Sequence, residues 1–219
     1  MIGLFIKFVI GVLIVPVAYG VTAAFYNNFI LIKELGASIR FFTWGVVSYA
    51  ILHLIFYKPT PVYVFGHEAV HALVAWLFGG KIQSFKVSSE GGSVTTDKSN
   101  FLIELSPYFV PIYAVIITLI YFVVSSSYKI NSSVFIFLIG FSLAFHLIST
   151  IEIMKIRQPD IVKSGYFFSI AFVYTLNIII ISMIFALVFP SFLIKGFFGD
   201  FIGISKGIYI GIVKQMFSA

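Results

Sequence analysis

Long apolar runs dominate the chain and constrain its fold more than any other feature. Six of them are long enough, or nearly so, to cross a bilayer, and they cover roughly residues 3–26, 41–57, 62–79, 101–125, 133–154 and 163–190. Charged residues make up only 10% of the 219 residues, whereas soluble domains carry about 25%. This composition excludes an ordinary water-soluble domain. We therefore predict an all-α polytopic membrane protein with about six transmembrane helices, forming a single membrane domain over residues 1–219.

The segment between residues 79 and 100 differs from the apolar runs on either side of it. Ile82, Phe85 and Val87 lie in a β-prone run, and a second such run covers residues 93–96 after the Gly91-Gly92 turn signal. Two short β-prone runs joined by a glycine turn are typical of a hairpin. We predict a β-hairpin over residues 81–98, with a solvated loop as the alternative.

The basic residues indicate how the chain is oriented. The net charge is +6, but the lysines and arginines stand singly between apolar runs, as residues that orient helices do, and form no nucleic-acid-binding patch. More of them, including Lys81, Lys86 and Lys98, flank the membrane face that carries the hairpin. The positive-inside rule then places the hairpin in the cytosol and both termini outside.

An interrupted apolar tail covers residues 192–217. Its glycines recur every four residues, which places them on one helical face and permits close helix contact, including self-association; they are Gly199, Gly203, Gly207 and Gly211. Four charged residues also lie in the tail. Both a spanning helix and an interfacial helix remain open for it.

The most informative motif is His67-Glu68-Ala69-Val70-His71, an HExxH sequence inside an apolar, helix-competent run. Helical spacing places His67 and His71 one turn apart on one face, where two imidazoles can share one Zn²⁺. Glu68 then lies beside that face and can take a proton from the metal-bound water as general base. Because the chain has no cysteine, any metal must be held by His, Asp or Glu.

This stretch resembles the site-2 protease family of intramembrane zinc metalloproteases. The resemblance rests on the HExxH motif, on Gly79-Gly80 and the hairpin that follow it, and on Leu105-Ser106-Pro107-Tyr108 at the start of the next run. It covers roughly residues 62–180 and is greatest with the small bacterial members that lack a PDZ domain. It implies zinc-dependent proteolysis of substrates within or beside the bacterial cytoplasmic membrane, often in regulatory signalling.

The third zinc ligand has two candidates. The family takes this ligand from an aspartate in an Asn-Pro…Asp-Gly element, and the nearest match here is Gln158-Pro159-Asp160, with Gly165 further on. The resemblance therefore implies Asp160. His146 is the alternative, because it and His71 lie at about the same depth, roughly 13 Å from one membrane face.

Other polar residues in the apolar runs suggest lesser roles. Asn177 is a candidate substrate or oxyanion contact, with a helix–helix hydrogen bond as the alternative. Glu104 and Glu152 lie near span ends, where we expect them to reach water, and His53 is expected to be structural. We also expect an edge strand, at Val87, to pair with an extended substrate.

Two other functions remain open from the sequence. In a transporter or metal-handling protein the histidines would line a path, but such proteins tend to show internal repeats, and none is evident here. A catalytically inactive scaffold would not require the glutamate at position 68.

Overall fold

The computed structural model describes residues 2–32, 36–56, 59–88, 91–128 and 131–218. The helices, in chain order, are α1 (Ile2–Phe29), α2 (Ala37–Phe56), α3 (Thr60–Leu77), α4 (Phe101–Leu105), α5 (Ile112–Ser127), α6 (Ser132–Met154), α7 (Pro159–Ser164), α8 (Tyr166–Val188) and α9 (Ile194–Phe217). The strands β1 (Ile82–Val87) and β2 (Gly92–Thr96) stand between α3 and α4, and a 3-10 turn (Ser106–Tyr108) follows α4. Residue 57 of the second predicted span and residues 89–90 of the predicted hairpin lie outside this description.

The helices have the lengths and composition of membrane spans. Among the described residues, five are long and apolar enough to cross a bilayer, namely α1, α2, α6, α8 and α9. The α4 segment and α5, bent by 76° at a short break, give a sixth if counted as one span. The predicted all-α polytopic fold with a short hairpin is thus confirmed, and the chain is a multi-pass membrane protein.

Two helices differ from the expected list of spans. The motif helix α3 is not among the candidates, because its histidines and glutamate lower the hydropathy of an 18-residue helix. The tail helix α9 is among them. Pro107 and Pro111 account for the break before α5, since proline cannot donate the backbone hydrogen bonds that a continuous helix needs.

The chain divides into two compact units. One comprises residues 1–35 and 165–219, that is α1, α8 and α9, and the other comprises residues 36–164, from α2 to α7 with the hairpin. In the first, α1 packs against α9 at Gly20, where an added Cβ would collide with Ser205. Its core is rich in phenylalanine, including Phe185, Phe189, Phe192 and Phe197.

The predicted glycine face of α9 takes no part in that packing. An added Cβ at Gly199, Gly203, Gly207 or Gly211 would meet no described atom within 4 Å. Self-association through this face therefore stays a prediction.

In the unit from α2 to α7, glycines let α2 and α6 approach closely. An added Cβ at Gly45 would collide with the backbone at Phe137, and one at Gly140 would collide with the backbone at Phe42. Small residues at such contacts are typical of membrane helix pairs. The next helix, α5, packs against α6 of this pair.

The hairpin is joined directly to the end of α3. Gly79, with φ of +72°, ends the helix in a left-handed conformation that favours glycine, and the Gly80 amide donates to the Ala75 carbonyl at 2.8 Å. Lys98 then donates to the Phe78 carbonyl at 2.9 Å, and the Lys81 amide donates to Asp97 at 2.6 Å. The antiparallel strands pair Phe85 with Val94 and Val87 with Gly92, so the hairpin begins at a fixed point beside the motif helix.

Candidate metal centre

The two motif histidines lie on one face of α3, as their spacing predicts. Pro61 stands in the first turn of the helix, where its missing N–H is not needed. The rings of His67 and His71 have centroids 4.8 Å apart. Four residues earlier, Tyr63 places its hydroxyl 3.2 Å from His67 Nδ1. One helical stripe therefore carries both imidazoles and a polar partner for the first.

Asp160, at the start of α7, completes a group of three possible metal ligands. Its Oδ2 atom is 3.6 Å from His71 Nε2 and 4.0 Å from His67 Nε2. One ligand atom from each of the three residues lies within 4.8 Å of the other two, and all three residues are half-buried. This is the one such group found in the part of the chain that the structure describes.

A hydrogen bond at Nδ1 of His71 fixes the direction in which Nε2 of the same ring points. His71 Nδ1 lies 2.8 Å from the Ile103 carbonyl oxygen. A carbonyl only accepts, so Nδ1 carries a proton, and Nε2, the nitrogen that faces Asp160, is the one available to a metal when the ring is neutral. Metal-bound histidines are oriented in this way by a carbonyl or carboxylate on the other nitrogen.

Pro107 explains why the Ile103 carbonyl is free to accept from His71. In a continuous helix this carbonyl would accept from the amide of residue 107, four positions on, but proline has no N–H. The Ser106 hydroxyl, at 2.9 Å, is its other donor. The Ser-Pro pair thus ends α4 and exposes the acceptor that orients the histidine.

The surroundings of the Asp160 carboxyl favour its ionised form. Tyr108 donates to Oδ2 at 3.3 Å. Burial alone would raise the pKa of this carboxyl, but the hydrogen bond and charge of the neighbouring imidazoles outweigh burial, so the pKa of Asp160 lies below its ordinary value. Metal binding needs deprotonated ligands, and two neutral imidazoles with one carboxylate are a donor set that suits zinc.

Glu68 lies under the hairpin rather than in open solvent. An added Cβ at Gly92 would stand 2.6 Å from Glu68 Cγ and 2.6 Å from Val64 Cγ1, so only glycine permits this approach. The Val94 backbone amide also donates to the Glu68 carboxylate. Glu68 and His67 line the same cavity of about 320 Å³, together with Gly91 and Gly92.

The remaining predicted site residues do not belong to the group of three possible ligands. His146 is buried beside His67 in a narrow cavity of about 20 Å³, and it is not a member of the His67, His71 and Asp160 group. Asn177 belongs to the other unit, where its amide donates to the Val173 carbonyl of its own helix at 3.0 Å. Val87 is at the end of β1, opposite Gly92. The roles suggested for these residues stay predictions.

Sequence reasoning missed the polar residues that surround the ligands. The expectation that Glu104 reaches water is wrong, because the residue is 9% exposed and accepts hydrogen bonds from Ser99 and Ser164. Glu152 is partly exposed and pairs with His53 at 2.9 Å. Among these surrounding contacts, only the one between the Ile103 carbonyl and His71 has a signal in the sequence, namely Pro107, four residues after Ile103.

Comparison with known proteins identifies the family of the chain. Residues 41–156, just over half of the chain, match the model of the Peptidase M50B-like family. The match includes His67, Glu68 and His71 and ends four residues before Asp160. No curated protein and no solved structure gives a significant match. The family match confirms the resemblance to site-2 proteases, and the chain belongs to the Peptidase M50B-like family.

Proposed function

We propose that this protein is an intramembrane zinc metalloprotease that hydrolyses peptide bonds of membrane-embedded or membrane-proximal substrates. The observation that carries the proposal is the convergence of His67 Nε2, His71 Nε2 and Asp160 Oδ2, with Glu68 in the wall of the same cavity as His67. Membership of a peptidase family supports it. A buried polar cluster that served only helix packing would not require a glutamate in that wall.

The proposed zinc ligands are His67, His71 and Asp160. Catalytic zinc usually has three protein ligands and an open position, and this group supplies two nitrogens and one oxygen. The short distances from Asp160 to both imidazoles favour it over His146. Tyr63, Tyr108 and the Ile103 carbonyl would orient the ligands from outside.

Glu68 is the proposed general base. Zinc in such a site supplies Lewis acidity toward the scissile carbonyl and lowers the pKa of water toward neutrality. The Glu68 carboxylate takes the proton from the attacking water and delivers it to the departing amine. Its place under the hairpin limits the access of bulk water and keeps the carboxylate next to the bond that is cut.

We propose that the substrate binds to the hairpin as an added strand. The Ser88 amide donates to the Gly91 carbonyl at 2.8 Å, so this pair is hydrogen-bonded and the pairs alternate from there. The amides of Gly92 and Val94 therefore point away from β1, that of Val94 toward Glu68 and that of Gly92 along the open edge of β2, and that of Val87 lies on the free edge of β1. Because Gly92 lines the Glu68 cavity, the β2 edge can present a substrate carbonyl to the site.

We further propose that the protein lies in the bacterial cytoplasmic membrane with the hairpin on the cytosolic side. With α3 counted as a span, the larger number of lysines and arginines that flank the hairpin side supports this orientation. Substrates would then be cut near their cytosolic ends.

Replacement of Glu68 by glutamine tests the proposed function. Glu68→Gln keeps the shape of the side chain but removes the base, so zinc content should stay at the wild-type level. Peptide-bond cleavage should fall by about 10²–10⁴-fold, the usual contribution of a general base. Membranes from cells that express either form are compared by sequencing of newly formed protein N-termini.

The two arms of this experiment separate the competing functions. New termini within or next to apolar segments, present with the wild type and lost with Glu68→Gln, support a protease. Equal sets of termini with both forms would contradict it, and so would wild-type protein that purifies from zinc-containing medium without metal.

A further inference from the structure

We propose that Glu104 is a positioning residue for the metal centre: it anchors α7 to α4 and thereby holds Asp160 against His71. This inference rests on the proposed zinc site. It concerns a residue outside the ligand set, and it assigns a role to a buried carboxylate that the HExxH motif does not explain.

The first support is the number of bonds that converge on this carboxylate. Glu104 Oε1 accepts from the Ser99 hydroxyl at 2.7 Å and from the Lys163 ammonium. Oε2 accepts from the Ser164 hydroxyl at 3.0 Å. Ser164 is fully buried and Glu104 is 9% exposed. A buried carboxylate without partners is costly, so these bonds fix the position of its neighbours closely.

The second support is the shortness of α7. It has only six residues, and an isolated helix of that length is not stable in itself. Its position must come from tertiary contacts, and two of its residues, Lys163 and Ser164, bind Glu104. Asp160 and Ser164 are four residues apart and so share one face of this short helix. Fixing Ser164 therefore fixes the place of Asp160.

The third support is the residue next to Glu104. The Ile103 carbonyl accepts from the proposed ligand His71. The next residue of α4, Glu104, binds α7, the helix that carries the proposed ligand Asp160. Through this pair, α4 sets the 3.6 Å separation between His71 Nε2 and Asp160 Oδ2. A change at Glu104 should therefore alter the metal centre without touching a ligand.

The test is a Co²⁺ titration of the full chain, purified in detergent and freed of metal with a chelator. Co²⁺ reports its coordination through visible absorption, which does not depend on proteolysis. Glu104→Ala should weaken Co²⁺ binding by about 10–100-fold, as removal of outer partners of metal ligands typically does. Its absorption spectrum should also change. Glu104→Gln keeps an acceptor oxygen for Ser164 and should rescue part of the loss.

Glu152→Ala is the matched control. It removes another carboxylate of the same unit, one that pairs with His53 rather than with α7, and its Co²⁺ affinity and spectrum should equal those of the wild type. A Glu104→Ala protein that folds and binds Co²⁺ as the wild type does would overturn the inference. If that variant does not fold, Ser164→Ala decides, since it removes one of the anchoring bonds and unchanged binding would equally overturn the inference.

Failure of the inference and failure of the proposed function give different results. Wild-type protein that binds Co²⁺, with the binding lost in His71→Ala, supports the centre whatever Glu104 does. Wild-type protein that binds no Co²⁺ overturns the proposed centre, and the role of Glu104 with it.

Discussion

The two units of this protein use their polar side chains differently. In the unit of α1, α8 and α9, many hydroxyls and amides donate to carbonyls one turn back in their own helix, as Thr22, Asn28, Thr175, Asn177 and Ser182 do. The bonds that join its helices, such as those of Thr22 with Tyr174 and of Asn28 with Asp200, surround no group of possible metal ligands among the described residues. In the unit from α2 to α7, several polar side chains bridge separate elements. His71 binds α4, Tyr108 binds α7, and Glu104 binds α7.

In the second unit the bonds between elements surround His67, His71 and Asp160, and this indicates which unit carries chemistry. A side chain that bonds to its own helix satisfies itself at little cost in any surroundings, and it places no demand on its neighbours. A bond between elements fixes their relative position, and a metal centre needs such fixation. We therefore expect substitutions of polar residues to act on the site in one unit and to be nearly silent there in the other.

The largest effect should come from loss of a metal ligand. His71→Ala and Asp160→Ala should each weaken zinc binding by about 100-fold or more, since outer partners alone account for 10–100-fold. Asn177→Ala, the matched buried polar change in the other unit, should leave the affinity unchanged. Competition with a chromophoric chelator measures all three.

His146→Ala sharpens that comparison. It should keep zinc if Asp160 is the third ligand. A loss as large as that of His71→Ala, with Asp160→Ala near the wild type, would make His146 the ligand instead.

A smaller effect is expected from blocking the hairpin edge. Val94→Pro removes the outward-facing amide of β2, which donates to Glu68, and should lower cleavage by about 2–10-fold, the value of one backbone hydrogen bond of about 0.5–1.5 kcal/mol. Zinc affinity should not change. Val87→Pro is the paired variant for the opposite edge; a loss there, with none at Val94, would move the substrate strand to β1.

The smallest effect should come from the glycine face of α9. Gly199→Leu places its Cβ where no described atom lies within 4 Å, so it should leave the free energy of unfolding unchanged or raise it by up to about 1 kcal/mol, the helix-propensity gain over glycine. Gly45→Leu, at the close α2–α6 contact, should destabilise by about 1–3 kcal/mol. Denaturant titration in detergent measures both. Equal destabilisation would contradict the packing difference, and loss of chemical cross-linking in Gly199→Leu alone would support self-association.

Local patterns were enough to predict much of this molecule. Apolar run length predicted the membrane fold, and the β-prone runs around Gly91 predicted the hairpin. Helical spacing predicted the shared face of His67 and His71. Each of these features depends on residues close together in the chain, where periodicity and turn chemistry are informative.

Features that depend on tertiary contacts could not be predicted in the same way. The choice between Asp160 and His146 turns on where α7 lies, and nothing within residues 159–164 specifies that position. Glu104 lies near the end of an apolar run, a position from which glutamates commonly reach water. Its partners in α7 are about 60 residues away in the chain and cannot be inferred from its neighbours. The burial of Glu68 under Gly92 likewise follows only from how the hairpin folds back on α3.

The acceptor that orients His71 belongs to the main chain, which has a practical consequence for mutagenesis. No exchange of the side chain at Ile103 deletes its carbonyl, so an alanine scan would pass over this position without a signal. The residue to mutate instead is Pro107, because any other residue there restores an amide that competes with the imidazole for the same oxygen. In a sequence comparison, a proline four places after an aliphatic residue would then indicate a backbone carbonyl that can orient a histidine, which the aliphatic side chain itself does not indicate.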